Sequence, residues 1–141
     1  MTAWSFPRLP GPTSTLDPAE CRQLLGSTTV GRLGYVTPAG PRIVPLNYAL
    51  LPEAIAFRTI ADGEITRHAV GQPVAFETDD VDAFLRSGWS VLVTGELVEL
   101  SVDQIRQLAP WQTAEPWAAG DRPVFCAVAL AGLTGRRVLG G

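Results

Sequence analysis

Between Thr29 and Thr59 three β-prone runs are separated by only two short segments of turn residues. The runs are 29–36, 42–50 and 54–59; the turns are Pro38-Ala39-Gly40-Pro41 and Leu51-Pro52-Glu53. Connections this short can join antiparallel neighbours but cannot carry the crossover a parallel pair needs. The chain is therefore predicted to begin as an antiparallel meander. Pro45 falls inside the second run and cannot donate to a ladder, which predicts a sheet edge or a bulge there.

The same reading predicts a fourth strand over 72–78 and a long fifth over 87–100, bent at Gly95. Trp89, Val91, Val93 and Leu97 then share one face by the period of two. A long final strand spans about 123–138, with Gly132 as a second bend. Three short helices are predicted between strands. Asp17, Pro18 and Glu20 open the first, with Cys21, Leu24 and Leu25 on its apolar face and Gly26 as its stop. Asp62 caps a second, running to about Ala69. Ser101 and Gln104 make a capping box for a third, with Val102, Ile105 and Leu108 as its apolar face. Six strands, some long and bent, with few helices predict a mostly β domain, a small closed or partly closed barrel. Residues 1–16, rich in Pro, Ser, Thr and Gly, read as an extended N-terminal arm, with Trp4 and Phe6 as anchors on the body or a partner subunit. Residues 17–141 read as a single domain.

Composition narrows the function classes. The net charge is −3 and all eleven basic residues are Arg, scattered from Arg8 to Arg137 without a run. That pattern argues against a nucleic-acid surface. Any anion site must be built from Arg, backbone N–H groups or helix ends. Cys21 and Cys126, far apart in a chain without a visible secretory signal, read as free thiols of a reducing cytoplasm. No apolar run approaches the length of a membrane helix.

Hydrolytic and metal chemistry find little support. Gly88-Trp89-Ser90-Val91-Leu92 starts like a nucleophile elbow but lacks its closing Gly, and His68 is the one imidazole. Cys21, His68 and Cys126 have no metal-ligand spacing. Glu77, Asp79, Asp80 and Asp82 lack the pattern of a calcium loop and read as a solvated strand end and turn. Arg58-Thr59 at a strand end, followed by Asp62-Gly63 opening a helix, could cradle a phosphate. An Arg paired with a nearby carboxylate explains the same residues equally well.

A wider set of motifs resembles the pyridoxamine 5′-phosphate oxidase-like family of FMN-binding split barrels. These are Glu20-Cys21 with Leu24-Leu25, Gly31-Arg32-Leu33, and Gly40 through Tyr48. Phe57-Arg58-Thr59, Val74-Ala75-Phe76-Glu77 with Asp79, and Gly88 through Val91 follow. The series ends with Pro116 through Arg122 and Thr134-Gly135-Arg136-Arg137. The resemblance implies a six-stranded split barrel acting as a homodimer, with FMN in grooves between protomers. It implies that Arg42, Ile43, Val44, Pro45 and Asn47 line the flavin ring and ribityl chain. Arg58 and Thr59 would reach the phosphate, near Gly63. Trp89, Ser90, Trp117 and Arg122 would come from the partner chain.

One departure stands out. Where the family usually carries a phosphate-binding Lys, this chain reads Asp62-Gly63-Glu64. At an effective dielectric near 20 one unit charge pair at about 4 Å is worth about 4 kcal/mol, and a reversal loses that attraction and adds repulsion, less where water screens it. Arg67, three residues on, could neutralise Glu64 or reach the phosphate itself. Three functions therefore stand: an FMN-dependent oxidoreductase of unassigned substrate; a split barrel that has exchanged FMN for a deazaflavin (F420), haem or another ligand; and a structural dimer in which Trp89, Trp111 and Trp117 are interface packing.

Overall fold

A computed structural model describes residues 11–140; Trp4 and Phe6 lie outside the described residues. Among the described residues there are ten strands: β1 (Thr13–Thr15), β2 (Val30–Thr37), β3 (Gly40–Asn47), β4 (Ala49–Leu50), β5 (Ala54–Thr59), β6 (Pro73–Asp82), β7 (Ser87–Glu96), β8 (Val98–Glu99), β9 (Val124–Ala129) and β10 (Gly132–Val138). The helices are α1 (Pro18–Leu25), α2 (Glu64–His68) and α3 (Val102–Arg106), with one 3-10 turn at Pro110–Gln112. A six-stranded sheet runs β1-β10-β7-β6-β2-β3 and a four-stranded sheet runs β4-β5-β9-β8. Every pairing of named strands is antiparallel.

The bends expected at Gly95 and Gly132 are complete breaks, and the run 42–50, for which no bend is expected, breaks at Tyr48. The run 42–50 divides into β3 and β4, the run 87–100 into β7 and β8, and the run 123–138 into β9 and β10. At each break the chain leaves one sheet for the other. Three such exchanges curl two antiparallel sheets around one core, which makes the fold a split barrel. Pro45 lies on β3, at the edge of the larger sheet, where a missing donor costs no ladder bond to a further strand.

Some expectations need correction. The fourth strand does not stop at 78: β6 continues through Asp82, the acidic run forms its outer, largely exposed end, and the hairpin turns over 83–86, where Arg86 has φ of 57°. The ladder to β7 carries the strand to Asp82, and Arg32 faces Glu77 at 3.6 Å and Asp79 at 3.4 Å from the adjoining strand. Asp62 does not cap α2; Gly63 occupies that position without a side-chain bond. The apolar face foreseen for α3 is not buried, and Val102 is 63% exposed. Within the arm, Thr13–Thr15 pairs with β10 and Leu16 is buried, its N–H donating to the Gly135 carbonyl at 3.0 Å. An apolar side chain seated in the core draws the preceding residues along the sheet edge.

The α1 expectations hold: both halves of the Asp17–Glu20 capping box form, and Cys21 and Leu25 are buried. Phe57, Phe76, Leu33, Ile55, Val91, Val93 and Leu97 fill the barrel. Tyr48 meets Phe76 edge to face, with ring centroids 4.8 Å apart. Register places Leu33, Phe76 and Val93 in one inward row and Arg32, Glu77 and Leu92 in the neighbouring outward row.

Both cysteines belong to this interior. Burial, with Glu99 adding to it, pushes the Cys126 thiol up to about 12; burial, Asp17 and Glu20 raise that of Cys21. Thiolate is the reactive form. A thiol-reactive aromatic disulfide is therefore expected to leave both cysteines unmodified in the native protein and to modify both in denaturant, read by release of the coloured thiol.

Candidate ligand-binding site

The β2–β3 hairpin sets one corner of the site. Its register pairs Thr37 with Gly40, where φ is +117°, a backbone that favours glycine. That register places Tyr35 opposite Arg42, with both side chains on one face. Both reach Glu64 in the first turn of α2. The Tyr35 hydroxyl donates to Glu64 Oε1 at 2.7 Å, and Arg42 Nε lies 3.4 Å from the same oxygen. Arg67 Nε lies 3.7 Å from Asp62 Oδ1 and donates to the Gly63 carbonyl at 3.4 Å. A Cβ at Gly63 would stand 2.6 Å from Ile60 Cγ1, so a larger residue there would have to displace the exposed Ile60 side chain.

Tyr35 carries the clearest electrostatic signature of the corner. Burial pushes its phenol up to about 12; the hydrogen bond to Glu64 and the charge of Glu64 add to the rise, and Arg42 opposes it. A raised phenol means that folding favours the protonated form. Its contribution to stability is complete below the ordinary phenol range near pH 10 and is lost as pH climbs toward about 12. Glu64→Gln is expected to lower the Tyr35 titration midpoint, read by phenolate absorbance.

The next part of the wall is held by backbone contacts. Arg58 Nε donates to the Arg122 carbonyl at 3.1 Å, and its guanidinium carbon lies 4.8 Å from the centre of the Phe125 ring. Thr59 is buried at the end of β5. The Trp117 N–H donates to Asn47 Oδ1 at 2.9 Å, while the residue itself is 75% exposed. Val44 packs against the core, whereas Ile43 and Pro45 face out, Ile43 being 74% exposed.

The structure thus brings Arg42, Gly63, Glu64 and Arg67 to one corner, ties Arg58 and Thr59 to the strand beside Arg122, and links Asn47 to Trp117. Trp89 and Ser90 do not join them within one protomer, since β6 and β2 separate β7 from β3. Trp117 and Arg122, which the resemblance brings from a partner, already lie against Asn47 and Arg58 of the same chain.

Several participants were not foreseen. Tyr35 and Phe125 fall inside predicted strands without being singled out, and only the hairpin register and the β5–β9 pairing reveal their places. On the outward face of the larger sheet, Glu77, Ser90, Leu92, Thr134 and Arg136 line a 660 Å³ groove. Ser90 and Arg136 also border a 440 Å³ hollow with Asp79 and Trp89. Burial raises the Glu77 carboxyl, Asp79 raises it further, and Arg32 opposes both. Glu77 Oε1 is buried and makes no hydrogen bond. Among the described residues, no group of three or more His, Cys, Asp or Glu could hold a metal ion, and no helix is long and apolar enough to cross a membrane.

Two antiparallel sheets exchanging strands around one core define a split-barrel protein. Residues 17–137 match the family model described as pyridoxamine 5′-phosphate oxidase, and the chain belongs to that family. It is 32% identical over 130 residues to the uncharacterized protein Rv0080 of Mycobacterium tuberculosis, covering 88% of this chain and 84% of that protein. The FAD binding protein from Mycobacterium smegmatis aligns with a TM-score of 0.68 at 25% identity, over 89% of this chain and 98% of that one. A Corynebacterium glutamicum protein provisionally named pyridoxamine 5′-phosphate oxidase aligns with a TM-score of 0.74 at 23% identity, over 94% and 98%.

The donor set beside Glu64 does not fit the terminal phosphate of FMN. Arg42 and Arg67 are each matched by a carboxylate, and two carboxylates stand where a dianion would need donors.

Proposed function

We propose that this protein binds a flavin in a groove between two copies of the chain and serves as a flavin-dependent oxidoreductase. Membership of the family over residues 17–137, in a fold shared with an FAD-binding protein at 25% identity, is the observation that carries the reading. A bound flavin would supply the redox chemistry, which fits a chain in which no acid–base pair stands out. The chain's own residues would hold and orient the ring: the β3 segment Arg42–Asn47 from one copy, and Trp89 with Ser90 from the other. The outward face of the larger sheet suits pairing, since Ile43, Val36, Val81 and Leu92 are all exposed on it.

The test is a visible absorbance titration of the purified protein with riboflavin, FMN and FAD, with deazaflavin and haem in parallel. Saturable flavin binding, with a stoichiometry of about one per protomer, is the expected result. Saturation by deazaflavin or haem alone would overturn the flavin assignment.

A further inference from the structure

From the geometry around Glu64 we infer that this site takes a flavin by its ring and ribityl chain and gives no preference to a 5′-phosphate. The inference rests on the flavin reading above and goes beyond it by naming which flavin the site favours.

The charges at the corner are already spent on one another. Glu64 Oε1 accepts from the Tyr35 hydroxyl at 2.7 Å and pairs with Arg42 at 3.4 Å. Asp62 pairs with Arg67 at 3.7 Å. A phosphate arriving here would have to take Arg42 from Glu64 and would then stand beside that uncompensated carboxylate. Arg58 has no carboxylate partner in these pairs, but its Nε donates to the Arg122 carbonyl and its guanidinium is stacked on Phe125. One such cation offsets half of a dianion.

Glu64 also has chemistry to offer. Its second oxygen, Oε2, takes part in neither the Tyr35 nor the Arg42 contact. A carboxylate oxygen accepts hydrogen bonds and cannot donate them. A ribityl hydroxyl carries the proton Oε2 can accept; a phosphate dianion does not. The same side chain thus disfavours the phosphate and suits the neutral polyol.

The experiment compares dissociation constants of riboflavin and FMN, by quenching of flavin fluorescence at low ionic strength, for wild type, Glu64→Gln and Glu64→Lys. Wild type is expected to bind the two within about threefold of each other. Glu64→Gln, which frees Arg42, should shift the ratio toward FMN by about tenfold, and Glu64→Lys by about a hundredfold. Tighter binding of FMN than riboflavin by more than about tenfold in wild type would overturn the inference and leave the flavin reading standing. Failure of every flavin to bind would instead remove the flavin reading. The charge inference is then decided with inorganic phosphate by calorimetry: uptake by Glu64→Lys alone upholds it, and uptake by wild type overturns it.

Discussion

Phe76→Ala is expected to destabilise the protein by about 3–5 kcal/mol, the usual cost of emptying a buried aromatic site. Phe76 is fully buried and lies in the row Leu33–Phe76–Val93, whose other two members are also fully buried. It supports Tyr48, whose hydroxyl donates to the Leu25 carbonyl at 2.6 Å and so fastens α1 to the barrel. The ring also explains Gly31. A Cβ at Gly31 would stand 2.2 Å from Phe76 Cζ and 2.9 Å from the Glu77 carbonyl. Gly31→Ala alone should therefore cost about 1–3 kcal/mol by overpacking. In the Phe76→Ala background the vacated ring space removes the first clash, so the double variant should be more stable than the sum of the two losses predicts. Urea unfolding of the four proteins measures that coupling. Strict additivity would mean that the sheet shifts to accommodate the methyl group without involving the ring.

The two antiparallel pairings between Thr29 and Thr59, the edge position of Pro45 and the capped helix at Asp17 were legible because local chemistry decides each of them, although the third run lies in the other sheet and not in a single meander. Two short turns leave no alternative to antiparallel neighbours, a proline cannot donate, and a capping box needs only four consecutive residues. The sheet exchanges were less legible. Gly95 and Gly132 mark the right neighbourhoods, yet one sequence cannot distinguish a bend within a sheet from a transfer between sheets. That difference depends on partners distant in the chain, such as the Val124–Ala129 ladder with β5. The length of β6 was hidden for a related reason: its last residues, through Asp82, are held by the ladder to β7 and not by their own β propensity.

The site divides in the same way. Arg42, Glu64 and Arg67 were singled out from family motifs and from one departure, and the structure brings them to one corner. The pairings could not be read. Arg67 was a candidate to neutralise Glu64, but Arg42 takes that place and Arg67 turns to Asp62. Arg67 follows Glu64 by three positions on a helix only five residues long, whereas Arg42 stands opposite Tyr35 by hairpin register and approaches with the phenol. Cross-strand register is the stronger constraint here, and it is fixed only once the turn is known.

Leu92→Asp is expected to abolish self-association at the proposed interface while leaving the protomer folded. Leu92 faces outward, 39% exposed, and its register partner across β6–β7 is Glu77. Side chains directly opposite in a sheet approach to about 5 Å at Cβ. A new carboxylate there would join Glu77 and Asp79, against which Arg32 and the nearby Arg136 are the available cations. In a free protomer water screens the group, and the cost should stay within about 1 kcal/mol. Covered by a second copy, it would add several like-charge contacts out of water, and the dimer dissociation constant should rise about a thousandfold or more, equivalent to about 4 kcal/mol. Sedimentation reads the association state and a thermal melt reads the fold. Leu92→Asn keeps the shape without the charge and should weaken the dimer far less. Acidification should partly restore the association of Leu92→Asp, because the raised Glu77 carboxyl is discharged before an ordinary glutamate is. Flavin affinity should fall together with the dimer if the proposed groove draws Trp89 and Ser90 from the second copy; flavin binding that survives in a protomer would place the whole site within one chain.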